Sequence, residues 1–281
     1  MRVLASVVFW LLTTVALAVA VPAMWAQHHV VDRNGFSAFA TSAAKDPAVA
    51  QAMAGALTSR LTGLAANSGY DVNQTLFEGA ARAYTNGDAF PGQFALANQV
   101  AHRWLFTDVA VTPDASGRWQ IDLSPMLADG SFRQTLEDFG IKAPTTLEVP
   151  LTENVSQHLR PGQLREVAKW GPWVSVGAAV LAGAFALLTV ASARRRGKAI
   201  AALGISAMLV GATGWAGIEV GRRYVDDGLK SVPDDVRGVA AAMADYAVGS
   251  MHLWLNLTLA AGLGLVALGV IVTVLGGLRR S

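Results

Sequence analysis

Two uncharged runs on either side of a short basic cluster constrain this chain more than anything else in it. Trp170 to Ala193 covers 24 residues without a charge and Ala199 to Ile218 another 20, with Arg194, Arg195, Arg196 and Lys198 between them. Each run is long enough to cross a hydrocarbon core of about 30 Å as a helix. A helix is required there because lipid offers backbone N–H and C=O groups no partners. The positive-inside rule puts so short a cationic turn in the cytoplasm, which makes the span before it run inward and the span after it run outward.

Two further runs complete the pattern. Val3 to Ala26 is uncharged after the single Arg2, and Tyr246 to Leu278 carries no formal charge. The first reads as an anchor, because it exceeds the usual apolar length of a signal peptide and Trp25 suits an interfacial position. A cleaved signal peptide is the alternative, since Ala18-Val19-Ala20 and Val21-Pro22-Ala23 place small residues at the required spacing. The expected organisation is an anchor over 1–26, an extracytoplasmic domain over 27–169 and spans over 170–193 and 199–221. The cytoplasmic turn is 194–198. An outer loop over 222–248 holds a short amphipathic helix from Ser231-Val232-Pro233-Asp234, the last span is 249–278, and 279–281 is a cytoplasmic tail.

Charge follows this arrangement. The formal net charge is +2. On the expected cytoplasmic side stand Arg2, Arg194, Arg195, Arg196, Lys198, Arg279 and Arg280 with no acid, whereas 27–169 holds 11 bases against 14 acids. The basicity therefore reports topology, and nucleic acid is excluded as a partner. There is no cysteine. An exported domain of this composition has no disulfide or thiolate metal site and depends on its own core.

In the 27–169 region the apolar spacing is first helical. Asp46-Pro47 supplies an N-cap and an N1 proline, and Val49, Met53, Leu57, Leu61 and Leu64 recur at helical steps. A short helix is expected through Leu76, Phe77 and Ala80, broken at Asn86-Gly87-Asp88, and another from Pro91 with Phe94, Ala97, Ala101 and Leu105 on one face. The period then changes to two. Val109 and Val111, then Trp119, Ile121 and Leu123, alternate around the turn-like Asp114 to Gly117, which predicts a hairpin. A helix with Phe132, Leu136 and Phe139 follows Pro125, and Leu147, Val149 and Leu151 predict a third strand. The expected fold class is thus an α-helical membrane protein with four transmembrane helices and an extracytoplasmic α+β domain.

The run Phe94 to His102, the segment Gly117-Arg118-Trp119-Gln120-Ile121-Asp122-Leu123-Ser124-Pro125, the helix end Leu136 to Gly140 and Val149-Pro150-Leu151 together resemble a group of actinobacterial multi-pass membrane proteins. The resemblance covers nearly the whole chain. It implies an N-terminal membrane segment, an outer domain of this order and later helices joined by an arginine-rich turn. It implies no particular activity. That group often carries Trp at the position of Phe94 or Leu96 and Arg at the position of Gln99.

Chemistry-bearing residues are few. Asn98 and His102 share a helical face and could grip a ligand, although buried polar groups more often bond neighbouring backbone. His28 and His29 are adjacent and His158 is isolated, so no metal-ligand spacing emerges, and no cofactor motif is present. Glu219 and His252 fall at similar depth near the outer ends of two spans, with Asn256 one turn beyond His252, and the first two could pair. Gly217 with Gly221, Ala178 with Ala182, Ala179 with Gly183 and Ala260 with Gly264 offer small residues four apart for close helix approach. Trp25, Trp170, Trp173, Trp215 and Trp254 group towards one side as an aromatic belt. These features predict a non-enzymatic, envelope-associated accessory protein of the plasma membrane. Its partners would be membrane lipid and other membrane or envelope proteins. The alternatives are a small transporter or channel subunit using Glu219, His252 and Asn256, and an outer-face hydrolase, for which no nucleophile comes with its base.

Overall fold

The computed structural model describes residues 2–67, 74–107, 120–122, 134, 148–150, 162–230 and 234–278. The helices among them are α1 (Arg2–Ala26), α2 (Arg33–Ala43), α3 (Pro47–Asn67), α4 (Gln74–Thr85), α5 (Phe90–Phe106), α6 (Arg165–Ser192), α7 (Arg196–Leu229) and α8 (Asp234–Leu278). A π-helical turn, Gln27–Val31, follows α1. The chain divides into two compact units. One is formed by Met1–Val30, Lys169–Arg223 and Val248–Ser281, the other by Val31–Ala168 and Tyr224–Ala247.

The first, membrane unit draws on four helices long and apolar enough to cross a bilayer: Val3–Val31, Arg165–Ser192, Arg196–Leu229 and Val236–Gly276. The chain is a multi-pass membrane protein in this sense. The short helix expected from Asp234 and the span expected from residue 249 are one continuous α8 of 45 residues. No proline interrupts Tyr246 to Ser250, and Gly249 alone costs a helix only about 1 kcal/mol. At 1.5 Å per residue α8 is roughly 67 Å long, about twice a hydrocarbon core.

Helices α7 and α8 are joined by a seam of glycines. A Cβ on Gly197 would lie 2.7 Å from Gly269 O, one on Gly204 2.5 Å from Gly262 O, and one on Gly211 2.6 Å from Leu259 Cγ. As the residue number rises along α7 its partner's falls along α8, so the pair is antiparallel. The small positions recur every seven residues, at 197, 204 and 211 on one helix and at 262 and 269 on the other. A repeat of 3.5 residues per turn keeps one face towards a partner and winds the pair left-handedly. The expected spacing of four is not the one this pair uses: a Cβ on Gly217, Gly221 or Gly264 would meet nothing within 4 Å.

Helix α1 is fastened to α7 by polar contacts. Trp10 Nε1 donates to Ala202 O at 2.8 Å, and Thr14 Oγ1 and Ser206 Oγ lie 2.7 Å apart. Ser206 is fully buried. With no water in the bilayer core, such groups are held where they find one another.

The second unit is helical. Helix α3 packs on α4 and α2 on α5. Asp32 caps α2 by accepting from Gly35 N at 2.7 Å, and Asp46 Oδ1 accepts from Ala48 N at 2.9 Å ahead of α3. The core is Ala40, Ala44, Val49, Ala50, Tyr84, Phe90, Phe94 and Ala95, with Met53, Leu57 and Leu61 against it. Val239, Ala242 and Met243 cover the same core, and Tyr246 meets Phe39 at a ring separation of 5.3 Å. Phe90 is wholly inaccessible. Tyr84 donates a short hydrogen bond to Gln93 Oε1 within this core.

The expected α+β domain is overturned by this architecture. Among the described residues the extended structure is a single antiparallel ladder, Gln120–Asp122 against Glu148–Pro150, with Ile121 opposite Val149. Three residues per strand is the short end of the range, and two strands alone do not make an independently stable sheet. Among the described residues the buried apolar side chains lie on the helices. The expected strand at Val109 and Val111 and the expected helix with Phe132, Leu136 and Phe139 lie outside the described residues.

Candidate functional site

The polar and aromatic groups of the membrane unit gather where its part of α8 begins, just after Val248. Ser250 and Trp254 are four residues apart, and so are His252 and Asn256, so the two pairs occupy different faces of the helix. The first pair meets the end of α1. Trp25 Nε1 donates to Ser250 Oγ at 3.2 Å, and the His29 ring stacks on Trp25 at 5.3 Å and meets Trp254 edge-on at 5.8 Å. His29 Nδ1 lies 3.0 Å from Trp25 O, and His28 abuts His29 edge-on. The π-helical turn makes this possible, because its wider winding shifts the phase of His28 and His29 relative to α1.

The second pair meets α7. The His252 imidazole lies flat on the Trp215 indole, with ring centres 3.6 Å apart and planes 7° apart. Trp215 Nε1 donates to Asn256 Oδ1 at 3.2 Å. His252 and Asn256 are therefore brought together, but through Trp215. Glu219 stands one turn further along α7, exposed. The expected pairing of Glu219 with His252 is not formed; the aromatic ring takes the imidazole instead.

A cavity of about 690 Å³ opens among the four spans. Its wall on α6 is Ala179, Ala182, Gly183 and Ala186, facing Leu17 and Met24 of α1 and Trp254, Leu257, Ala261 and Leu265 of α8. Its two hydroxyls are already engaged: Thr13 donates to Phe9 O and Thr258 to Trp254 O, both within their own helices. Among the described residues no ionisable side chain lines it. Of the small residues expected at helix contacts on α6, Ala179, Ala182 and Gly183 border this cavity.

Asn98 and His102 belong to the other unit. Asn98 Nδ2 donates to Phe94 O at 2.9 Å, one turn back on α5. His102 is buried, with its ring stacked on Phe36 at 4.7 Å and on Phe106 at 4.3 Å. Gln99 Nε2 donates to Ser37 Oγ at 2.6 Å and ties α5 to α2. Gln99 and His102 serve the packing of α5 on α2, and the bond of Asn98 stays within α5. Among the described residues no three His, Cys, Asp or Glu side chains converge as metal ligands.

Sequence reasoning set His28 and His29 aside for lack of metal spacing. Trp25 with His29, and Trp254 on α8, carried the signal for what they do: tryptophan and histidine four residues apart at the end of an apolar run. No protein-family model, curated protein or solved structure matches the chain.

Proposed function

We propose that the chain is a non-enzymatic accessory protein of the plasma membrane, whose four spans anchor it and whose extracytoplasmic unit, mainly residues 27–169, binds another envelope protein. The basic turn Arg194 to Lys198 lies on the cytoplasmic side in this reading, as do Met1 and Ser281. The observation that carries the proposal is the cavity among the spans. Conduction needs a polar path across the bilayer, and here the lining is apolar with its hydroxyls spent on helix carbonyls. His252 and Asn256 are engaged with Trp215, and Glu219 stands apart from them, which weighs against a transport route through these three residues. The exposed apolar pair Leu96 and Val100, one turn apart on α5, offers a contact face for the partner; they are 51% and 37% accessible.

The test is purification of the full chain from native membranes in mild detergent, with mass spectrometry of what accompanies it. A stoichiometric envelope protein is expected, released when Leu96 and Val100 are both changed to Ser. Recovery of the chain alone, without any companion protein, would overturn the proposal.

A further inference from the structure

At the end of the membrane unit that carries the basic turn, a second groove of about 480 Å³ opens between α1 and the start of α7. Its floor is apolar, with Val3, Val7 and Trp10 of α1, and its mouth is ringed by Arg194, Arg195 and Lys198. Among the described residues no carboxylate lines it. The polar atoms of the floor are already satisfied, since Trp10 donates to Ala202 O and Ser6 Oγ to Thr189 O at 3.4 Å. The three bases at the mouth are exposed, and among the described residues none makes an ion pair. Cations this close without a counter-charge repel one another, and an anion between them removes the repulsion.

We propose that this groove binds an anionic phospholipid, with the phosphate among Arg194, Arg195 and Lys198 and the start of an acyl chain along Val3 and Val7. Charge selects the headgroup: a zwitterionic lipid would bring its own cation to a mouth that already holds three. A free phosphate would neutralise the mouth but leave the apolar floor uncovered. Juxtamembrane bases of this kind attract anionic lipid by a short-range, salt-sensitive force. The inference needs neither the envelope partner nor the function proposed above.

Native mass spectrometry of the full chain in micelles tests it, with phosphatidylglycerol and phosphatidylcholine of identical chains as probes. Phosphatidylglycerol is expected to be retained in preference, and Arg195→Gln is expected to weaken that retention about fivefold. Arg196→Gln removes an equal charge from the same turn but from outside the groove, and retention is expected to stay within about twofold of the unaltered chain. Val7→Trp keeps every base and fills the floor, so it too is expected to lower retention, with the helical circular dichroism unchanged. Inorganic phosphate is expected not to displace the lipid. Equal retention of the two lipids would overturn the proposal, as would equal effects of Arg195→Gln and Arg196→Gln. Displacement by inorganic phosphate would assign the groove to a free anion instead.

Discussion

Gly204 of α7 and Gly262 of α8 meet backbone to backbone: a Cβ on the first would stand 2.5 Å from the second's carbonyl oxygen, and a Cβ on the second 2.7 Å from the first's. The obstacle in each case is main chain, which cannot rotate away as a side chain can. Gly204→Ala is therefore expected to force the helices apart and to destabilise the membrane unit by about 1–3 kcal/mol. Gly217→Ala, where a Cβ would meet nothing within 4 Å, is expected to be neutral or to stabilise by up to about 1 kcal/mol through helix propensity. Thermal unfolding in detergent, followed by circular dichroism, distinguishes the two. Equal midpoints for both variants would remove the seam from the account of stability.

Trp215 holds two partners at once, the His252 ring on its face and Asn256 at its indole nitrogen. Trp215→Phe keeps a ring for His252 and loses the hydrogen bond, so a cost of about 0.5–1.5 kcal/mol is expected. Trp215→Ala loses the stacking as well and is expected to cost at least about 0.5 kcal/mol more. Melting midpoints in the order unaltered chain, Phe variant, Ala variant would support this division. Identical midpoints for Phe and Ala would show that the stacked ring contributes nothing.

In the helical unit, Phe90 lies inside rings from two neighbours, Tyr84 at 5.6 Å and Phe94 at 5.5 Å. Phe90→Ala leaves a cavity between those rings, at a cost of about 3–5 kcal/mol. Leu96→Ala, on the exposed side of α5, is expected to change stability by less than about 0.5 kcal/mol. Urea unfolding of the full chain in detergent checks both.

What could be read from the sequence was set by how many residues carried each signal. Spans announce themselves because twenty or more consecutive positions must be apolar, and α3 announced itself through Asp46-Pro47 and the steps Val49, Met53, Leu57 and Leu61. Helix α2 carried a weaker signal. Its buried side is Phe39, Ala40 and Ala43, and alanine at a contact looks no different from alanine at a surface. The strand reading around Ile121 and Val149 rested on alternations too short to establish a sheet, and the structure makes of them a ladder of three pairs. The glycine seam was hidden by its period, since Gly197, Gly204 and Gly211 are seven apart and only a partner helix reveals them as one face. Trp215 was legible as an interfacial residue, but its stacking on His252 depends on the register of α7 against α8, which neither helix encodes by itself.

Lys230 supplies the one pH-linked expectation. Its ammonium lies 2.6 Å from Asp227 Oδ1, and that hydrogen bond and charge raise it above the ordinary lysine value of 10.5. A raised value in the folded chain gives a contribution fully present below 10.5 and lost as pH climbs through the folded value. The pair is solvent-exposed, so Asp227→Asn is expected to return the Lys230 titration towards its ordinary value without moving the unfolding midpoint at neutral pH. Titration of the Lys230 Nζ resonance by NMR reads the shift, and an unchanged titration would refute it.

Flux through proteoliposomes tests most directly whether the membrane unit anchors or conducts. The purified full chain, reconstituted at known density, is expected to pass protons and sodium ions no faster than protein-free vesicles, because the cavity among its spans is lined by apolar side chains and two hydroxyls already spent on helix carbonyls. Flux well above that background, abolished by His252→Ala or Glu219→Gln, would contradict an anchoring role and make the α7–α8 contact around Trp215 a transport route.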